Sequence, residues 1–424
     1  MRMGPKYLSP KRPPLPCVRV AILGVGGLGR TVALELASDP RITEILLVDH
    51  RGERAKALQS IGRTAAVSAY AADVKDPVAL RRILSRVDVA VNTTLPEFNL
   101  LIMRACLDAG CGYVDTSGWH PGPGGGPREG RGDVLEQLRQ DVLWRDKGLA
   151  AIVCMGSEPG LTNVMARMAS DRLATIDAIR IRVASTADPK TEGYPFYSRE
   201  TFLDDILATP VVWDGAAHVE RDPTSGEEIF EFPPPIGPRP VCLVRHSEIL
   251  SLPLRLGKPV GHADYKGAFS IHLIRAVHSL HALGLLTKDH VVKLTGQRAP
   301  FREIFLSAWP EPSTIIGPMP GAMAVVTEVD GTTSEGVRTT IRSWVELEHK
   351  EANRRRGTTA EPYLSAVAGA TACVLVGFKK TPRLGVLAPE ELSPDIVRTE
   401  LEARGIEFQS VETPREKPVE VPAA

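Results

Sequence analysis

The chain has 424 residues, 43% of them hydrophobic and 24% charged, with 51 basic and 51 acidic side chains and a formal net charge of zero. A balanced charge excludes nucleic acid or an anionic membrane surface as the main partner, since both select a basic excess. The length exceeds one ordinary core, so two domains are expected.

Six cysteines (Cys17, Cys106, Cys111, Cys154, Cys242 and Cys373) are irregularly spaced and form no CxxC pair. A disulfide framework or zinc site is therefore not expected, no metal is assigned, and a reducing cytoplasm fits. Residues 1–16 are basic and proline-rich without an apolar core, so they read as a flexible tail, not a secretory signal. No run approaches the length expected of a transmembrane helix, and no membrane partner is expected. Beyond Val411 the chain is rich in Pro, Glu and Lys, which reads as a disordered end over 412–424.

In chain order, VRVAILG (18–24) is a short apolar run ending in glycine, the pattern of a buried parallel strand. Residues 28–37 carry apolar side chains at helical spacing. EILLVD (44–49) is a second strand ending in an acid, followed by a helix over 54–58. A third strand spans 65–72 with Asp73 at its end. Residues 77–84 form a helix with Pro77 in the first turn, where its missing N–H is harmless. Further strands are expected at 87–92, 112–115 and 149–155, with a helix over 99–109 between the first two. Strands alternating with helices imply a doubly wound parallel α/β sheet, a Rossmann domain over 17–157. The Pro/Gly-rich stretch 120–132 is a surface loop, either a lid or an insertion.

After Gly160 the texture changes. Residues 179–185, 324–329 and 339–349 read as half-buried strands and 271–286 as a helix, with Pro-rich irregular segments such as 231–240 between them. This is an α+β second domain over 158–362. Residues 363–376 form an apolar helix that must pack on something, and 394–404 an amphipathic one, giving a C-terminal helical segment over 363–411.

Gly24-Val25-Gly26-Gly27-Leu28-Gly29 follows a strand, opens a helix, and is followed by Asp49 at the next strand end. In that context the glycine pattern is a dinucleotide site. Gly24 permits the tight turn, Gly26 lets backbone approach the pyrophosphate, and Gly29 allows helix to pack on strand. The helix N-terminus offers free N–H groups to phosphate. Asp49 can accept from the ribose hydroxyls, which favours NAD; Arg51 leaves NADP open. His50, beside them, Asp73 and Val74 at the third strand end, and Thr93 and Thr94 at the fourth complete the candidate cofactor set. Asp73 is either an adenine contact or a helix cap.

Several further segments resemble the saccharopine dehydrogenase family. They are Asn92-Thr93-Thr94-Leu95-Pro96, Tyr113-Val114-Asp115-Thr116-Ser117 with Trp119, and Cys154-Met155-Gly156-Ser157-Glu158-Pro159-Gly160. Arg245-His246-Ser247-Glu248, Asp264-Tyr265-Lys266-Gly267 and Gly385-Val386-Leu387-Ala388-Pro389-Glu390 extend the likeness to nearly the whole chain, from Val18 to Val411. The resemblance implies an NAD(P)-dependent oxidoreductase that moves a hydride to or from a carbon bearing nitrogen, on an amino acid or a carboxylated polyamine. It also implies a substrate and dimerisation domain inserted into the Rossmann domain, C-terminal helices that return to it, and a homodimer. Where the family has Cys-Gly-x-Asp-Pro-Gly, Glu158 replaces the aspartate. Thr186-Ala187-Asp188-Pro189 stands where saccharopine reductases have Gly-Gly-Leu-Pro, and Tyr197-Ser198-Arg199-Glu200-Thr201 looks more like the lysine-dehydrogenase-like branch. These departures weigh against saccharopine itself as the substrate.

Asp115 and Cys154, each at a strand end, are the candidate catalytic residues. Asp115 takes a proton or holds an ammonium, or else caps the following turn. Cys154 has no histidine adjacent in sequence, so a positional role is favoured over a nucleophile. Arg245 aligns with a stretch that binds a substrate carboxylate in saccharopine reductases, with a structural ion pair as its other reading. Tyr197, His246 and Lys266 are weaker substrate candidates, and Pro96 and Trp119 could wall the nicotinamide pocket. The competing function is a non-catalytic dinucleotide-binding sensor or scaffold, which would need none of Asp115, Cys154 or Arg245.

Overall fold

The computed structural model describes residues 17–62, 64–118, 133–187, 196–287, 289–294, 296–309 and 317–415. Among these, seven strands build one sheet: β1 (Val18–Leu23), β2 (Ile42–Asp49), β3 (Ala66–Ala71), β4 (Val89–Asn92), β5 (Gly112–Asp115), β6 (Ala150–Ile152) and β7 (Gly385–Leu387). Their spatial order is β7-β6-β5-β4-β1-β2-β3, and every pairing is parallel. Parallel strands are covered on both faces, which is why β1 and β4 read as nearly unbroken apolar runs. The strand order turns at β1, and a crevice outside the carboxyl ends at such a turn is where ligands bind.

The sixth expected strand is shorter than its apolar run, and β7 comes from the C-terminal segment, which returns to the sheet edge beside β6. The 18-residue helix Ala360–Gly377 is buried along almost its whole length. It packs on the helix Gly27–Ala37, on β4, β5 and β6, and on the helix Pro394–Glu402. By length and composition it is apolar enough to cross a membrane, contrary to the sequence expectation, but 78% of it is buried inside the fold. Its apolar surface is absorbed as core.

A second, mixed sheet runs in the order Glu228–Glu231, Pro238–Leu243, Ala263–Gly267, Thr175–Ser185, Ala322–Thr332, Arg338–Glu348, Gln409–Pro414. Its long central strands alternate: Ile179, Ile181 and Val183 are buried core, whereas Arg180 and Arg182 point to the other face, beside Glu328 and Val326 of the neighbouring strand. The strand Gln409–Pro414 corrects two expectations. The ordered chain continues past Val411, and its last strand pairs with Arg338–Glu348 of the second sheet. Between the sheets runs the helix Leu161–Asp171, whose buried Thr162 and Asn163 donate to Glu248 and Glu390 (2.9 and 2.8 Å).

Candidate active site

One cleft of about 1700 Å³ runs from the carboxyl ends of β1, β2 and β4 to the inner face of the second sheet. At its first end, β1 delivers the chain to Gly24, whose φ of +88° demands glycine. A side chain there would also meet the Thr93 carbonyl at 2.9 Å. The Gly29 position is tighter: a Cβ would lie 1.9 Å from the Gly24 carbonyl, so only glycine lets the helix close on the turn. At Gly26 nothing stands within 4 Å, which leaves the room a pyrophosphate needs. The helix Gly27–Ala37 has no side-chain cap at its start, so its first N–H groups stay available to an anion.

Asp49 shapes this end. One of its oxygens accepts from the Val25 N–H (2.7 Å) and the other from the Arg51 N–H (2.8 Å), which ties the glycine turn to the end of β2. The carboxylate still lines the cleft, with lone pairs left for a ribose. Arg51, Arg54 and Lys75 form a cationic rim around it, with His50 beside them. Among the described residues, neither the Arg51 nor the Arg54 guanidinium has an ion-pair partner. Asp73 and Val74 also line the cleft; Asp73 accepts from the Lys75 N–H (2.9 Å), and the cap of the next helix is Asp76 instead. Thr93 donates to the Gly24 carbonyl at 2.6 Å and Thr94 to Asn92 at 2.6 Å, and both reach the cleft with Pro96. These residues fit a dinucleotide, which would supply the hydride donor or acceptor.

The other end is acidic and aromatic. Glu158 follows β6, Asp205 lies on the helix Arg199–Leu207, and Glu361 occupies the first turn of the helix Ala360–Gly377; all three line the cleft. Burial, and then the Glu361 charge, push the Glu158 carboxyl well above the usual range. Burial and Asp205 push Glu361 to about 8, and burial pushes Asp205 to about 7. Tyr197 donates to Asp205 at 3.0 Å. His246 stacks on Tyr265, with centroids 3.9 Å apart and planes at 6°, and pairs with the buried Glu248. Burial opposes the charged imidazole, but Glu248 outweighs it and raises the His246 pKa. On the wall formed by Pro238–Leu243 stands Arg239; it has no ion-pair partner among the described residues, and its Nε is buried without a hydrogen bond.

Four expected catalytic or substrate residues lie outside this lining, as does Gly29 behind the glycine turn. Asp115 is 1% exposed, and its two oxygens accept from the Cys154 N–H and the Gln137 amide, each at 2.6 Å. Burial lifts it to about 6, against those hydrogen bonds. It fastens the end of β5 to the segment after β6 and presents no open oxygen to a substrate. Cys154 is 2% exposed, and burial followed by the Asp115 charge pushes its thiol well up, so it is no nucleophile. Arg245 leans on the Thr209 carbonyl (3.4 Å) and feels the Asp133 and Glu220 charges, away from the cleft. Lys266 pairs with Glu228 (2.7 Å) on the opposite sheet face from Tyr265, because neighbouring strand residues point opposite ways. Trp119 and the stretch 120–132 fall outside the described residues.

Glu158, Asp205, Arg239, Tyr265 and Glu361 went unassigned as site residues on the sequence. A faint signal existed: Glu361 is the single charged residue in the apolar run AEPYLSAVAGATACVLVG, and Arg239 is set between two prolines.

Residues 20–150 match the family model described as the saccharopine dehydrogenase NADP binding domain. A carboxyaminopropylagmatine dehydrogenase from Synechocystis is 26% identical over 403 residues, covering 93% of this chain and 97% of that protein. A carboxynorspermidine synthase from Vibrio alginolyticus is 22% identical, covering 94% of this chain and 98% of that one. This chain is similar to the NAD(P) oxidoreductases of the saccharopine dehydrogenase family, through its nucleotide domain by the family model and along nearly its whole length by these relatives. A structure of apo saccharopine dehydrogenase (L-Glu forming) from Saccharomyces cerevisiae shares the enzyme's fold, with a TM-score of 0.66 at 16% identity over 93% of this chain and all of that one. The enzyme's glycine loop and cationic rim both fall inside the matched nucleotide domain.

Proposed function

We propose that the enzyme uses NADP(H) to form or oxidise the C–N bond of a carboxylated polyamine or guanidino-amine. The observation that carries this reading is the continuity of the cleft: a dinucleotide loop opens directly into a pocket lined by Glu158, Asp205 and Glu361. Such a pocket suits a substrate with more than one positively charged nitrogen, the kind named for the two relatives. Arg239, which lines the cleft where Arg245 does not, supplies the complementary cation for the substrate carboxylate. The unpaired Arg51 and Arg54 favour a 2′-phosphate, hence NADP over NAD. The reading carries with it a cytoplasmic homodimer; six free cysteines suit a reducing compartment.

The test is oxidation of NADPH or NADH by the purified protein with diamines, triamines, guanidino-amines or lysine, each paired with short carboxylated aldehydes and 2-oxo acids. Turnover is expected with the polyamines and NADPH. Turnover confined to lysine with a 2-oxo acid, or none across the panel, overturns the proposal. Light scattering tests the dimer.

A further inference from the structure

Resting on that reading of the cleft, we infer that Glu158, Asp205 and Glu361 form a cation-selecting pocket that holds a terminal ammonium or guanidinium of the substrate and so sets amine specificity. The three carboxyls come from three separate elements, the turn after β6, the helix Arg199–Leu207 and the helix Ala360–Gly377, yet they reach one cavity. Convergence of this kind is built by the tertiary fold and does not follow from local acid-rich sequence.

A second observation points to a ligand. Glu158 Oε2 is shut off from solvent and has no hydrogen-bond partner, although it belongs to a residue of the cavity wall. A buried carboxyl oxygen without a hydrogen-bond partner is unfavourable, and a cationic or protic ligand that meets it removes that cost. Among the described residues no cation donates to that oxygen. His246 is engaged by Glu248, and Arg199, which also lines the cavity, donates to the Leu306 and Trp309 carbonyls (3.1 and 2.8 Å).

The walls around the acids are aromatic. Phe196, Tyr197, Phe202, Tyr265 and Phe269 all line the cavity, with Phe202 edge-on to both Tyr197 and Phe269 at 5.8 and 5.6 Å. Ring faces attract a cation, and low polarity strengthens its pairing with a carboxylate. Acids and rings together select a positive nitrogen on a flexible chain and reject the isosteric methyl group.

Glu158→Gln and Glu361→Gln test this, with a triamine and its alkylamine isostere lacking the terminal nitrogen as probes. In the wild type the triamine should raise the Tm of the NADPH-loaded enzyme and the alkylamine should not; each variant should lose most of that shift. Where turnover is measurable, the triamine-to-alkylamine ratio of kcat/KM should fall at least tenfold in each variant. Triamine binding should also release protons from wild type, seen as a buffer-dependent heat in calorimetry, and release fewer from the variants. NADPH affinity within twofold of wild type shows that the variants are folded. Equal triamine shifts in wild type and both variants would overturn the inference. Absence of turnover with a preserved, Glu-dependent triamine shift would overturn only the proposed reaction.

Discussion

Two glycines of the same loop should fail in different ways. At Gly26 a methyl group meets no atom within 4 Å, and the backbone φ of −77° is open to any residue. Gly26→Ala should therefore fold as wild type, with Tm unchanged, but the new methyl group occupies the path of the pyrophosphate. A loss of about 100-fold in NADPH affinity, about 2.7 kcal/mol, is expected. At Gly29 the added carbon would sit 1.9 Å from the Gly24 carbonyl and 2.6 Å from Thr93 Oγ1. Backbone cannot rotate away as a side chain does, so the helix Gly27–Ala37 must move. Overpacking of that kind costs about 1–3 kcal/mol, so Gly29→Ala should lower Tm by roughly 2–4 °C per kcal/mol as well as weaken binding. Fluorescence titration with NADPH and thermal melts on both variants separate the cases. Gly26→Ala binding NADPH within threefold of wild type would refute the placement of the pyrophosphate and the reasoning with it.

Three other outcomes follow from the same contacts. Asp115→Asn puts an amide NH₂ against one of two donors, so it should destabilise by about 1–3 kcal/mol while changing kcat less than threefold; a large loss of kcat at unchanged Tm would restore Asp115 to catalysis. The double variant Arg51→Ala/Arg54→Ala should raise the Kd for NADPH about tenfold and that for NADH less than threefold, since only one carries the extra phosphate; equal losses would argue against the rim. Glu400 is held down to about 2, chiefly by its hydrogen bond to Arg41, so its folded pKa lies below its unfolded one. Its contribution, at most about 3 kcal/mol, is complete above about pH 4.5 and fades as pH falls toward 2, so the Tm deficit of Glu400→Gln should shrink from about pH 7 to about pH 3. A deficit independent of pH would show that the ion pairs with Arg41 and Lys380 are not its source.

The nucleotide half was legible because its physics is local. Fully buried parallel strands must be apolar along their length, and a glycine turn beside an acid-ended strand has few other uses. β7 escaped because three residues carry no periodicity. The helix Leu161–Asp171 escaped because Thr162 and Asn163 are buried polar groups, matched by acids some 86 and 227 positions away. The substrate end was hardest. Its acids come from distant elements, and the choice between Tyr265 and Lys266 rests on strand parity, where one residue of register reverses which side chain meets the cleft. Arg245 lies past the end of the strand Pro238–Leu243, near Asp133 and Glu220, while Arg239 stands on the cleft wall within it.

The cleft has opposite signs at its two ends, and the proposed reaction uses both. Phosphates need the cationic rim and the open helix N-terminus. Hydride leaving a carbon bonded to nitrogen creates a C=N bond with positive charge, and hydride arriving consumes the same cation. Carboxyls fixed in an apolar wall stabilise that charge without reorganising, and they act on the iminium more strongly than on a neutral amine. A terminal ammonium bound among Glu158, Asp205 and Glu361 would draw their protons off and leave them ionised, so the substrate itself would charge the pocket beside the reacting carbon. In such a site, specificity for a second cationic nitrogen and stabilisation of the reacting one come from the same carboxylates.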